Sequence, residues 1–150
     1  VYWAIAQNQD MLADLLARNE IDFDEKCSCD RCEMGYPSFG LVAQTQNGQP
    51  LLDDNAARDR LSLIAPRIDL NAQLEESGKT VLMIATEQGK VKTIEKLLEL
   101  GANVHVADVE GKTALDYAQK LTTHNKDRIL KMLHAAHTQK EEAKNIKFAC

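Results

Sequence analysis

The sequence predicts an all-α fold, a solenoid of stacked helix-turn-helix units, and three observations carry that expectation. A segment repeats: Gly78-Lys79-Thr80-Val81-Leu82-Met83-Ile84-Ala85 returns as Gly111-Lys112-Thr113-Ala114-Leu115-Asp116-Tyr117-Ala118, with the two threonines 33 residues apart. Self-similarity at a fixed period of this length is the signature of a repeat architecture. Between the copies, Val91, Ile94, Leu97 and Leu98 recur at the spacing of one helical face. That helix then meets Gly101, a residue able to close it in the left-handed conformation.

Each unit can be read in order once this register is set. The first copy spans residues 1–26, with Ala4-Ile5-Ala6 through Leu12, Leu15 and Leu16 as a helix pair and Ile21-Asp22-Phe23-Asp24 leading out of it. An insertion at 27–35 follows. The second copy, 36–73, is the most degenerate. Leu41-Val42-Ala43 with Asn47-Gly48 reads as a first helix and its turn, and Leu61, Leu63 and Ile64 as the second helix. Ile68-Asp69-Leu70-Asn71 leads out of it, and residues 49–56, with Pro50, form a second insertion. The third copy is 74–106 and the fourth 107–137, with Ile129, Leu130 and Leu133 apolar and about three extra residues near Thr122 to Asn125. Residues 138–150 are a polar tail that extends the last helix or frays.

These residues resemble the ankyrin repeats. Thr80-Val81-Leu82-Met83-Ile84-Ala85 is similar to the family's T-P-L-H-x-A, and Leu97-Leu98 followed by Gly101-Ala102-Asn103-Val104 to its L-L-x-x-G-A-D-V. The resemblance covers residues 1–137 in about four repeats. It implies two antiparallel helices per repeat, with a short β-turn or hairpin finger between repeats.

Bulk composition narrows the function. The 150 residues carry a formal net charge of −5, which argues against nonspecific binding to nucleic acid or an anionic membrane. No apolar run approaches the ~20 residues a membrane span needs. The chain opens Val1-Tyr2-Trp3 without an initiator Met, as a trimmed fragment of a longer protein would. Its four cysteines make a poor disulfide framework, so a reduced, cytoplasmic setting is expected, or a host cytoplasm for a secreted bacterial effector.

Several motifs invite chemistry. Gly78-Lys79-Thr80 ends like a phosphate-binding loop, but the glycine required five positions before Gly78 is Gln73, and the one required before Gly111 is Val106. Nucleotide binding is not expected. Cys27, Cys29 and Cys32 could hold zinc, although a closed structural site takes four ligands and every His (105, 124, 134, 137) and Cys150 lies in the last two repeats or the tail. The alternative is a solvated loop of reduced thiols. That loop is also acidic, because residues 20–33 hold six acids against Lys26 and Arg31. A cysteine nucleophile would need a nearby histidine, so no enzyme activity is expected. His134 and His137 share a helix face and read as surface residues. Cys150 ends the chain, where a prenylation box would need its Cys fourth from the end.

The resemblance implies that a partner protein sits on the concave surface of finger tips and first helices. There the variable position of the T-P-L-H-x-A segment falls on Ile84 and Tyr117, and also on Ile5 and Val42. These form an apolar ridge, or else pack against adjacent helices. Glu87, Gln88 and Lys120 lie one turn on, and Glu75, Glu76, Asp108 and Glu110 at the finger tips suggest an acidic rim. The expected partner offers an apolar centre flanked by Lys or Arg, with the chain itself a monomer. Leu63 and Asp69-Leu70-Asn71 are similar to the ankyrin sequence modified by the asparaginyl hydroxylase of the hypoxia response, which would make Asn71 a modification site. Three readings therefore stand: an interaction module of a scaffold, regulator or effector; a zinc-stabilised domain organised by the Cys loop; and the regulatory part of an enzyme whose catalytic domain lies elsewhere.

Overall fold

The computed structural model describes residues 53–148, with side chains as far as residue 139, a hairpin at 45–46 and 49–50, and residues 10, 13, 14, 17 and 18. Asp10, Ala13, Asp14 and Ala17 are helical and exposed, at the spacing of one helix face. Ile5, Val42 and the Cys27, Cys29 and Cys32 loop lie outside the described residues.

Two-residue strands β1 (Thr45–Gln46) and β2 (Gln49–Pro50) pair antiparallel, Thr45 opposite Pro50 and Gln46 opposite Gln49. Between them in sequence lies Asn47-Gly48, which the sequence reading gave to the turn after a first helix. Asn-Gly is the residue pair that a tight two-residue hairpin favours, so a hairpin forms there instead.

Helix α1 (Asp54–Ile64) begins inside the expected insertion at 49–56. Asp53, in extended backbone, caps it by accepting the Ala56 N–H at 2.7 Å. Ala57, Arg60, Leu61 and Ile64 are its buried residues, a stripe at i, i+3, i+4 and i+7. Leu63, expected on that stripe, is instead 36% exposed. Pro66 then ends the helix in a 3-10 turn, Ala65–Arg67.

The third copy folds as α2 (Val81–Glu87) and α3 (Val91–Glu99). Thr80 caps α2 by accepting the Met83 N–H, and six of the seven helical residues are buried. The buried Thr86 hydroxyl is satisfied within the helix by donating to the Leu82 carbonyl at 2.7 Å. Helix α3 buries Val91, Thr93, Ile94 and Leu97, and its own N-cap residue, Lys90, offers no side-chain cap. The preceding repeat supplies one: the Asp54 carboxylate accepts the Lys92 and Thr93 N–H groups and the Thr93 hydroxyl, each at 2.8 Å. At its far end Ala102 donates to the Leu97 carbonyl at 2.9 Å across Gly101, whose φ is +89°.

The fourth copy folds as α4 (Ala114–Gln119) and α5 (Lys126–Phe148). Thr113 and Asp116 form a capping box at the start of α4. Ile129 and Leu133 are the buried anchors of α5, and the helix runs through most of the polar tail, so the tail extends the helix.

The elements stack in two layers. First helices α2 and α4 pack on each other, second helices α1, α3 and α5 form the other layer, and each pair packs across. One continuous core results, with Leu61, Ile64, Leu82, Ile94, Leu97, Ile129 and Leu133 fully buried. Each such side chain contributes about 1.5–3 kcal/mol relative to exposure. Ile64 and Leu97, 33 residues apart, hold the same core position in successive repeats. Among the described residues no helix is long and apolar enough to cross a membrane.

Candidate partner-binding surface

Two fingers project beside the first helices. In one, Leu74 donates to the Lys79 carbonyl at 3.0 Å, and Gly78, at φ +67°, donates back to Leu74 at 2.7 Å. In the other, Asp108 donates to the Lys112 carbonyl at 2.9 Å and Gly111, at φ +77°, makes the turn. The fingers are joined to each other. Val109 N–H donates to the Ser77 carbonyl at 3.2 Å, and Gln73 Nε2 bridges the Gly78 and Ala107 carbonyls at 2.7 and 2.9 Å. A Cβ at Gly78 would stand 2.9 Å from the Val109 nitrogen, so glycine is required there for the close approach as well as for its φ.

Asp108 ties the second finger to α4. One carboxylate oxygen accepts the Glu110 and Lys112 N–H groups at 2.9 Å each, and the other accepts the Tyr117 hydroxyl at 2.6 Å. The Tyr117 bond, foremost, and those two backbone bonds hold the Asp108 carboxyl below its usual range. Desolvation, foremost, and the Asp108 carboxylate push the Tyr117 phenol upward. Asp108 is 8% exposed, so it is an internal support of the finger and not part of an acidic rim.

Tyr117 forms one side of a cleft of about 360 Å³ between the two repeats, lined also by Lys79, Glu87, Glu110, Lys112, Lys120 and Leu121. Lys79 Nζ sits 3.0 Å from Glu87 Oε2 and 4.9 Å from the centre of the Tyr117 ring. Lys120 Nζ lies 5.8 Å from the same ring, and Lys112 pairs with Glu110. The rim is therefore mixed in sign. Glu75 and Glu76 are exposed acids at the first finger, and Glu87 and Glu110 pair with lysines.

Of the residues expected to bind, the structure brings Glu87, Glu110, Tyr117 and Lys120 together in this cleft. Gln88 is half-buried, with its Oε1 enclosed. Ile84 is 6% exposed and belongs to the core, where the α2–α4 contact places it, so it leaves the apolar ridge. Sequence reasoning missed Lys79, Lys112, Leu121 and Val109, the last 70% exposed on the second finger. A signal was present, because the recurring Gly-Lys-Thr sets a lysine at the same place in each finger.

Other residues are placed elsewhere. Asn71 is exposed, and its Oδ1 accepts the Asn103 N–H of the next repeat at 2.8 Å. His134 is exposed, as expected, but His137 is half-buried against His105 with ring centroids 4.3 Å apart. Among the described residues no three His, Cys, Asp or Glu side chains could hold a metal together.

The geometry is that of a binding surface made from paired fingers and first helices. A family profile for ankyrin repeats, in three copies, matches residues 54–145, more than half of the chain. With capped first helices, glycine-turned fingers and a two-layer stack over the matched residues, the chain belongs to the ankyrin-repeat family.

Proposed function

We propose that this protein binds another protein through the surface formed by its fingers and first helices, as one module of a larger scaffold, regulator or effector. Ankyrin repeats are in general protein–protein interaction modules and not catalysts. The observation that carries the reading is the Tyr117 cleft together with Val109, an apolar side chain 70% exposed on the finger beside it. Aromatic residues in a partly enclosed, polar-rimmed site are the kind that anchor a partner. The partner's apolar centre meets Tyr117, Leu121 and Val109, and its Lys or Arg side chains face Glu75 and Glu76. A cytoplasmic setting is in keeping with the closely spaced Cys27, Cys29 and Cys32, a poor disulfide framework.

Affinity capture with three proteins tests this: wild type, a groove variant (V109D with K120E) and a control, E99K, on the opposite helix layer. Glu99 is exposed on α3, away from the fingers. A partner recovered by wild type and control but lost by the groove variant is the expected result. Equal recovery by all three would refute the groove.

A further inference from the structure

We propose that the Tyr117 cleft takes an acidic side chain, Asp or Glu, from the bound partner, with its carboxylate at Lys120 and Lys112 and the adjoining apolar atoms against Tyr117 and Leu121. The proposal rests on the groove reading above and names the chemistry of one pocket within it. It also reverses, for this pocket, the expectation of a basic partner.

The charge inventory of the cleft leads to it. Three ammonium groups line the space (Lys79, Lys112 and Lys120) against two carboxylates, Glu87 and Glu110. The third nearby acid, Asp108, is turned inward and has both oxygens occupied by the Tyr117 hydroxyl and two backbone N–H groups. Lys79 is paired with Glu87 and Lys112 with Glu110. Lys120 is exposed, and among the described residues no carboxylate lies within ion-pair distance of it; it meets the face of the Tyr117 ring, with Lys112 beside it and the Asp116 carboxylate farther off. One positive charge is thus left facing the cleft opening.

The positions are also prepared in advance. The Tyr117 ring is held by its hydroxyl bond to Asp108, and Asp108 is held by the finger backbone. Lys79 and Lys120 both approach that ring within cation–π range, which limits the freedom of their long stems. A carboxylate arriving there meets ammonium groups already gathered, so less ordering is needed on binding. The Leu121 side chain and the ring supply an apolar wall for the methylenes beside the acid. A partner acid standing alone would leave that wall bare; one next to an apolar residue covers it.

Selection from a displayed library of random twelve-residue peptides, each fused at its C-terminus so that any carboxylate is a side chain, gives the test. Selected peptides are resynthesised with amidated C-termini and measured by fluorescence anisotropy on the full chain. The variants are wild type, Lys120→Gln, Tyr117→Ala and Val109→Asp, each checked for an unchanged helical circular dichroism spectrum. The expected peptides carry Asp or Glu beside an apolar residue. Changing that acid to its amide weakens binding to wild type about ten-fold, the scale of a hydrogen-bonded charge, and changes little on Lys120→Gln. Peptides that depend on Tyr117 and Val109 but need no acid overturn this inference and leave the groove intact. Peptides indifferent to both residues overturn the groove reading itself.

Discussion

Replacing Asp54 by Ala removes a cap that one repeat lends to the next. Its carboxylate accepts the Lys92 and Thr93 N–H groups and the Thr93 hydroxyl, each at 2.8 Å, at the start of a helix whose own cap position holds Lys90. Loss of an N-cap acceptor costs about 1 kcal/mol. Thr93 is fully buried, so its hydroxyl keeps only a 3.4 Å contact with the Asp54 carbonyl, and the stranded group adds about 1–2 kcal/mol. The sum is about 2–3 kcal/mol. At about 3 °C per kcal/mol for a chain of this size, Tm should fall by about 6–9 °C. Urea unfolding followed by circular dichroism reads the stability. Hydrogen exchange locates the loss at the amides of Lys92 and Thr93, which should exchange faster while those of α5 change less. Asp54→Asn, keeping one acceptor oxygen, should lie between wild type and Asp54→Ala. Thr93→Val, combined with Asp54→Ala, should be less than additive, because the two changes remove one shared bond. A stability of Asp54→Ala within about 0.5 kcal/mol of wild type would show that water caps α3 as well as Asp54 does.

Gly101→Ala meets no atom within 4 Å and carries only the cost of its φ of +89°, about 1 kcal/mol, whereas Gly78→Ala must also displace the Val109 backbone. Urea titrations of the two should rank Gly78→Ala lower by about 1 kcal/mol or more. Leu133→Ala opens a cavity at a fully buried site on α5 and should cost about 2–5 kcal/mol, read from the same unfolding curves. Burial and the bond to Asp108 raise the Tyr117 pKa above the usual 10, so the folded state favours the neutral phenol. Its stabilisation is complete below pH 10 and fades above it. Phenolate absorbance should accordingly show one tyrosine titrating late, a step that Tyr117→Phe deletes. Asn71 stands exposed in a sequence resembling a hydroxylation target, and mass spectrometry after co-expression with that hydroxylase should find 16 Da added there, about one oxygen, and none in Asn71→Ala.

Repeats three and four were legible because their signals are local: a threonine cap, an apolar stripe and a closing glycine, each repeated. The second copy was less so for a physical reason. The inward stripe of α1 keeps Leu61 and Ile64 as expected but takes Arg60 in place of Leu63, which faces solvent, so hydropathy alone misassigned one position of the helix. Asn47-Gly48 suits a turn of either kind, and only strand pairing decides between them. Within the site, residue type misled where burial decided. Asp108 looks like a surface acid in sequence, yet two N–H groups and a phenol enclose it. Ile84 occupies a position that varies among ankyrin repeats, but the contact between first helices takes its surface away from a partner. The lysines of the fingers were visible as a repeat and were weighed only for phosphate-loop chemistry.

The cleft belongs to a junction and not to a repeat. Lys79 and Glu87 come from the third copy, and Glu110, Lys112, Tyr117 and Lys120 from the fourth. Their relation depends on how the two repeats are seated, which polar links help govern: Gln73 to Gly78 and Ala107, Val109 to Ser77, and Arg128 of α5 to Glu95 of α3. Apolar burial in such a stack is large but nondirectional, and it tolerates small slides of one helix pair on the next. Hydrogen bonds at defined distances do not. The links thus contribute register as much as stability, and weakening one should loosen the cleft before it unfolds the chain. A partner that spans Lys79 and Lys120 would draw the same two repeats together from the other side. Binding and repeat-to-repeat stacking are then coupled, and each stabilises the other by the same free energy.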